Sequence, residues 1–79
     1  MGTYLVEGYE PGLNARQVRD LVARIQTGAD EVSRTGPGAI VHRLAMYAPE
    51  DEVCLHLFDA TDPHCIERLA ELTDLSVDR

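Results

Sequence analysis

Hydrophobic and polar residues follow two different periods along the chain, one typical of strands and one typical of helices. Three runs are rich in β-branched and aromatic residues and are bounded by turn residues: Thr3–Tyr9, Ala39–Tyr47 and Glu52–Asp59. The second and third runs are joined by the short connection 48–51, which contains Pro49. The pattern therefore predicts three strands, of which the last two form an antiparallel hairpin.

Two other segments carry apolar residues at the three- and four-residue spacing of an amphipathic helix. The first begins at Asn14, which with Gln17 has the pattern of a capping box, and ends at Gly36-Pro37-Gly38. The second begins with Asp62 as its N-cap, followed by Pro63 at the first helical position. The exposed side of the first helix has oppositely charged pairs four residues apart, which we expect to form weak ion pairs, among them Asp30 with Arg34.

The order of these elements predicts the fold. With the alternating segment Leu75–Arg79 as a last strand, the order is β-α-β-β-α-β, which is that of a ferredoxin-like sandwich. Right-handed crossovers place both helices on one face of an antiparallel sheet whose first and third strands are central. We therefore expect one α+β domain over residues 1–79.

Length and charge exclude several classes of function. The chain has 79 residues and a net charge of −7, and its 7 basic residues are all Arg, diluted by 14 acids. Such a surface repels nucleic acid. No apolar run approaches the roughly 20 residues of a membrane span, and the first residues lack the features of a signal peptide. We expect a cytoplasmic protein that binds neither nucleic acid nor membrane.

The third strand is apolar at nearly every position from Val53 to Phe58, whereas a half-exposed strand alternates. Because the two helices cover only one face of the sheet, we expect a second copy of the chain to cover the other face in a homodimer. In this interpretation the odd-numbered residues of the strand face the helices. The even-numbered residues Cys54, His56 and Phe58 face the second copy.

The candidate chemistry is a thiol and an imidazole on one strand face, in the pattern Cys54-x-His56. Their Cα atoms are about 6.5–7 Å apart in a strand, so both side chains can reach one ion. Thiolate and imidazole donors suit nickel, copper or zinc, and Glu7 is a possible further ligand on the adjacent strand. The alternative is purely structural, with Cys54 as a small buried hydrophobe, His56 as a hydrogen-bonded core or interface residue and Glu7 in a salt bridge.

The register of the hairpin decides whether His42 joins this group. With the four-residue connection 48–51, Tyr47 lies opposite Glu52, and His42 lies opposite Leu57, pointing away from His56. A three-residue or bulged turn would instead put His42 directly opposite His56.

Two stretches, Tyr4–Leu13 and Pro49–Ala60, resemble a known family, the small nickel-binding proteins of the dimeric ferredoxin-like α+β-barrel group. The most specific part of the resemblance is Pro-Glu-Asp-Glu-Val-Cys-x-His, which contains Cys54 and His56. The resemblance implies a homodimer with sheets packed face to face and a capacity to bind divalent nickel. His42 matches no motif of the family.

Together, residues and resemblance predict a homodimer that binds nickel or another divalent transition metal and buffers or delivers it without catalysis. The candidate metal ligands are Cys54, His56, Glu7 and His42. Two alternatives stay open. One is a small dimeric-barrel enzyme of the monooxygenase or isomerase type, which a closed cavity lined by His56, Tyr4 and Tyr9 would favour. The other is a plain interaction module.

Overall fold

The chain folds as an α+β unit, as the sequence predicts. A computed structural model describes residues 1–75. Its elements, in chain order, are β1 (Gly2–Tyr9), α1 (Ala15–Thr35), β2 (Ile40–Ala48), β3 (Val53–Ala60) and α2 (Pro63–Thr73). The predicted last strand, apart from Leu75, lies outside the described residues.

The three described strands form one antiparallel sheet in the order β1-β3-β2. The central position predicted for the third strand is therefore confirmed. β1 lies at the edge of the described sheet, and the strand predicted to pair with its other side falls outside residues 1–75.

Both helices begin at the predicted N-caps. The Asn14 side chain accepts a hydrogen bond from the Gln17 backbone N–H, and the Gln17 side chain accepts one from the Asn14 N–H, each 2.9 Å long. Asp62 accepts from the backbone N–H of His64 at 2.8 Å. These caps satisfy N–H groups that a helix cannot pair internally. Neither helix has the length and apolar composition that crossing a membrane requires.

The core lies between the helices and one face of the sheet. On that face Cys54, His56 and Phe58 are fully buried, whereas the odd-numbered residues of β3 are only half-buried on the opposite face. The predicted orientation of β3 is therefore wrong. The odd-numbered face also carries Asp59, and placing a carboxylate beneath the helices would cost several kcal/mol. On the outer face Asp59 instead accepts a hydrogen bond from Thr3 Oγ1 at 2.7 Å.

The predicted hairpin register is also wrong. Tyr47 lies opposite Cys54 rather than Glu52, because Glu52 has a left-handed φ of 54° and belongs to the turn. The connection is consequently 49–52, one residue later than predicted. The Tyr47 hydroxyl holds this end of the hairpin against the β1–α1 loop by donating to the Glu10 carbonyl at 2.8 Å.

Candidate metal centre

A bulge in β2 brings His42 to the helix side of the sheet. His42 pairs with Phe58 and Leu44 pairs with Leu57, so Arg43 is an extra residue in the ladder. If the register of Leu44 continued unbroken, His42 would lie opposite Asp59 on the outer face. A bulge of one residue reverses the facing of every residue beyond it. His42 therefore shares the inner face with His56, as the alternative with a bulged turn predicts, but the bulge lies within β2 and His42 lies opposite Phe58 rather than His56.

The outer end of the bulge is fixed by charge. The Arg43 Nε atom lies 3.5 Å from Asp59 Oδ2 on the outer face of the sheet. This contact holds the extra residue away from the core, while the side chain of its neighbour His42 points inward.

The two imidazoles contact each other directly. His42 Nε2 lies 3.1 Å from His56 Nδ1, and the ring centroids are 5.2 Å apart. The ring of Phe58 packs beside both, with its centroid 5.0 Å from that of His42 and 6.0 Å from that of His56. The pair therefore lies in an aromatic cluster between the sheet and the helices.

In each of the two rings, the nitrogen that is turned away from the other ring has no hydrogen-bond partner. Both His42 Nδ1 and His56 Nε2 are buried without one among the described residues. If one neutral ring donates to the other, then whichever tautomers are present, one of these two nitrogens carries a lone pair and the other carries a hydrogen. Buried polar atoms are nearly always hydrogen-bonded, so two unsatisfied nitrogens on adjacent side chains make the pair a candidate functional site.

Both imidazoles are held in the neutral form. Burial, with a smaller contribution from the charge of a protonated His42, lowers the pKa of His56 to about 4. Burial also lowers the pKa of His42, and the nearby Leu44 backbone has a smaller, opposing effect on this pKa. Neutral imidazole is the form that ligates metal ions.

The structure brings two of the four predicted ligands together. Cys54 lies on the same face of β3 as His56, but burial, with a smaller contribution from the Glu10 charge, raises the pKa of its thiol. Such a thiol stays protonated and behaves as a small apolar side chain. Glu7 lies opposite Leu55 on the outer face, so the sheet separates it from the imidazoles. Within residues 1–75, no three His, Cys, Asp or Glu side chains come together as a metal cluster.

One member of the pair, His42, is accessible from the edge of the sheet. A surface pocket of about 260 Å³ lies between α1 and β2 and is lined by Gln26, Ala29, Asp30, Ile40, Val41 and His42. Sequence reasoning missed this pocket, because it depends on which residues of α1 lie against the first residues of β2. Three other surface pockets in the described chain are lined by residues other than His56, Tyr4 and Tyr9.

The outer face of the sheet carries an uncovered apolar surface, which we name the open sheet face. Its members come from all three strands: Leu5, Tyr9, Val41, Leu44, Met46, Leu55 and Leu57. The side chains of Leu5, Leu44 and Met46 are 64%, 55% and 56% exposed. The prediction that both faces of β3 are apolar is thus confirmed. The even-numbered residues, rather than the odd-numbered ones, face the helices.

Comparison with known proteins supports the fold. No family model matches the chain, and no curated protein matches it at a significant level. The solved structure of SCO4226 from Streptomyces coelicolor A3(2) is similar, with a TM-score of 0.83 over 99% of this chain and 90% of that one. The two chains are 10% identical in sequence, so the similarity shows a shared ferredoxin-like α+β fold.

Proposed function

We propose that this protein binds a divalent transition metal, nickel in particular, through the imidazoles of His42 and His56. The observation that carries the proposal is the buried imidazole pair itself, whose facing nitrogens, His42 Nε2 and His56 Nδ1, lie 3.1 Å apart. Imidazole is a preferred ligand of nickel, copper and zinc. The resemblance of residues 49–56 to nickel-binding proteins favours nickel among these ions.

The spacing of the pair supports the proposal. Two imidazole nitrogens bound at about 2.0–2.1 Å to one ion are roughly 2.9–3.4 Å apart, for right-angled to tetrahedral geometry. The observed separation of 3.1 Å between His42 Nε2 and His56 Nδ1 lies in that range. Because both rings are neutral at pH 7, an ion can bind both facing nitrogens once the proton between them moves to the far nitrogen of the donating ring, with no net loss of a proton from the pair.

Two imidazoles leave most of a metal coordination shell to other donors, such as water or groups from a second copy of the chain. Structural metal sites are closed by four protein ligands, whereas sites with open positions exchange their ligands. A two-histidine site therefore suits reversible holding of an ion. This favours buffering or delivery over a permanent structural role.

We also propose that the functional unit is a homodimer formed through the open sheet face. Contiguous apolar surface on a small soluble domain usually marks an interaction site. Packing of the same face from two copies about a twofold axis would cover it without another partner.

The metal proposal is tested by calorimetric titration of nickel chloride into the protein and its variants. We expect His42→Phe and His56→Phe each to weaken nickel binding at least about tenfold, because each removes a ligand but keeps a ring in the aromatic cluster. His42 is only half-buried, so its variant tests the site even where replacement of His56 disturbs folding.

Two control variants separate this site from other donors. His64→Gln removes an exposed imidazole on α2, and Cys54→Ala removes the buried thiol on the inner face of β3. Both should keep the wild-type affinity. Undiminished nickel binding by folded His42→Phe and His56→Phe would contradict the proposed ligands, and absence of binding by the wild type would contradict the function.

A further inference from the structure

The route by which an ion reaches the pair is restricted by burial. The His56 side chain is 0% exposed, whereas His42 is half-buried and forms part of the wall of the pocket between α1 and β2. We call this the β2-edge pocket. Among the described residues, His42 is therefore the member of the pair that meets the surface.

The β2-edge pocket has the chemistry to receive a cation. Two of its six lining residues, Gln26 and Asp30, are exposed residues of α1 that carry side-chain oxygens, and none of the six is Lys or Arg. The pocket thus combines a carboxylate, an amide and an imidazole within about 260 Å³.

The carboxylate of Asp30 is not engaged by the arginine predicted to pair with it. Arg34 forms its ion pair with Glu31, which is three residues away and lies outside the lining of this pocket. Within residues 1–75, Asp30 has no ion pair. Its charge is therefore not neutralised by a contact and can attract a cation to the mouth of the pocket.

We propose that the β2-edge pocket is the entry port of the metal site, where a hydrated divalent cation first docks on the oxygens of Asp30 and Gln26. The ion then exchanges water for His42 and passes inward to the pair. This inference rests on the proposed function, and it assigns Asp30 and Gln26 a role in transfer rather than in the final coordination shell.

The port predicts a kinetic signature that distinguishes it from a final ligand. A residue that stabilises the ion only during passage changes the association and dissociation rates by the same factor and leaves Kd unchanged. A final ligand, when removed, raises the dissociation rate and Kd together. One carboxylate raises the concentration of a divalent ion within a few ångströms of it by about three- to tenfold at moderate ionic strength.

The experiment is stopped-flow mixing of the wild type and variants with nickel chloride, with release measured after addition of excess chelator. We expect Asp30→Asn to slow both uptake and release by about three- to tenfold, with Kd changed less than about twofold. The matched control is Asp20→Asn, which removes the same charge from α1 at a different pocket and should leave both rates unchanged.

A steric variant tests the port without altering charge. Gln26→Trp fills the mouth of the pocket from an exposed position, and we expect it to slow uptake and release together. Equal rates in the wild type, Asp30→Asn and Gln26→Trp would overturn the port while leaving nickel binding intact. Faster release from Asp30→Asn would also overturn it by placing Asp30 in the final shell. Absence of nickel uptake by the wild type would instead overturn the proposed function.

Discussion

The imidazole of His56 is shielded from solvent and contacts the ring of Phe58 and the imidazole of His42. Its side chain is fully buried, and its Nε2 atom has no hydrogen-bond partner in the described structure. A protonated His56 would place a charge in this environment beside His42, and within residues 1–75 its side-chain contacts, with His42 and Phe58, include no carboxylate. The residue is therefore tolerated in the core only as a neutral ring.

This burial predicts a stability that depends on pH. In the unfolded chain His56 takes up a proton below about pH 6.5, but in the folded protein burial lowers its pKa to about 4. The unfolded state therefore binds more protons between these values, and stability falls as the pH decreases from about 6.5 to 4. The shift corresponds to a loss of about 3 kcal/mol, to which the lowered pKa of His42 adds in the same direction.

Urea unfolding at several pH values, with a chelator present, measures this loss. The matched variant is His56→Phe, which removes the titrating group and should flatten the decrease in stability over that range. If the wild type and a folded His56→Phe lose stability equally, His56 is not responsible for the acid sensitivity.

At the scale of residues, the sequence was informative about which side chains share a strand face but not about which way that face points. Cys54, His56 and Phe58 share one face, as their two-residue spacing predicts. Their direction could not be read from the run Val53–Phe58, because both faces of that run are apolar. The useful signal was Asp59, whose charge marks the odd-numbered face as the outer one.

Among the elements, β2 determines whether a histidine pair exists. Its single extra residue, Arg43, converts a register that would point His42 outward into one that points it at His56. No glycine within Ile40–Ala48 marks the bulge, and the ion pair that fixes it joins residues of two strands. The two histidines could therefore be named as candidate ligands from the sequence. That their side chains lie together could not be predicted, because it depends on a contact between two strands.

The packing of α1 against α2 depends on the absence of a side chain at Gly28. A Cβ atom there would lie 2.8 Å from Leu69 Cδ1 and would also clash with the Thr73 side chain. Leu69 is fully buried, and the Thr73 hydroxyl donates to the Leu69 carbonyl at 2.8 Å, so neither side chain moves easily. The glycine thus allows close approach of the two helices.

We predict that Gly28→Ala destabilises the protein by roughly 1 kcal/mol. The clash costs about 1–3 kcal/mol, and the higher helix propensity of alanine returns about 1 kcal/mol. Denaturant unfolding measures the difference, with Thr27→Ala on the exposed side of α1 as a control that should change stability by less than about 0.5 kcal/mol. A Gly28→Ala variant as stable as the control would show that the helices can move apart without cost.

For the whole molecule, the two faces of β3 have different roles. The inner face builds the core with both helices, and the outer face contributes Leu55 and Leu57 to the open sheet face. This division follows from the sequence because right-handed crossovers place both helices on the same face of the sheet. What lies against the open sheet face depends on association, which a single chain does not specify.

We predict that Leu5→Glu converts a homodimer into a monomer in sedimentation equilibrium. Leu5 is 64% exposed and lies opposite Leu57, so a carboxylate there would be desolvated in the dimer but hydrated in the monomer. The matched control is Leu72→Glu, because Leu72 is 54% exposed on α2, away from the sheet. A wild type that is already monomeric at micromolar concentration would contradict the proposed dimer.

The pairing of β1 with β3 also sets the order in which the chain can fold during translation. β1 leaves the ribosome first, but its residues pair with 53–60, which are synthesised only after α1 and β2. Contacts between such distant segments form slowly. A nascent chain that pauses before residue 53 therefore exposes the apolar run Tyr4-Leu5-Val6 without β3 beside it, and such an exposed segment is prone to aggregation.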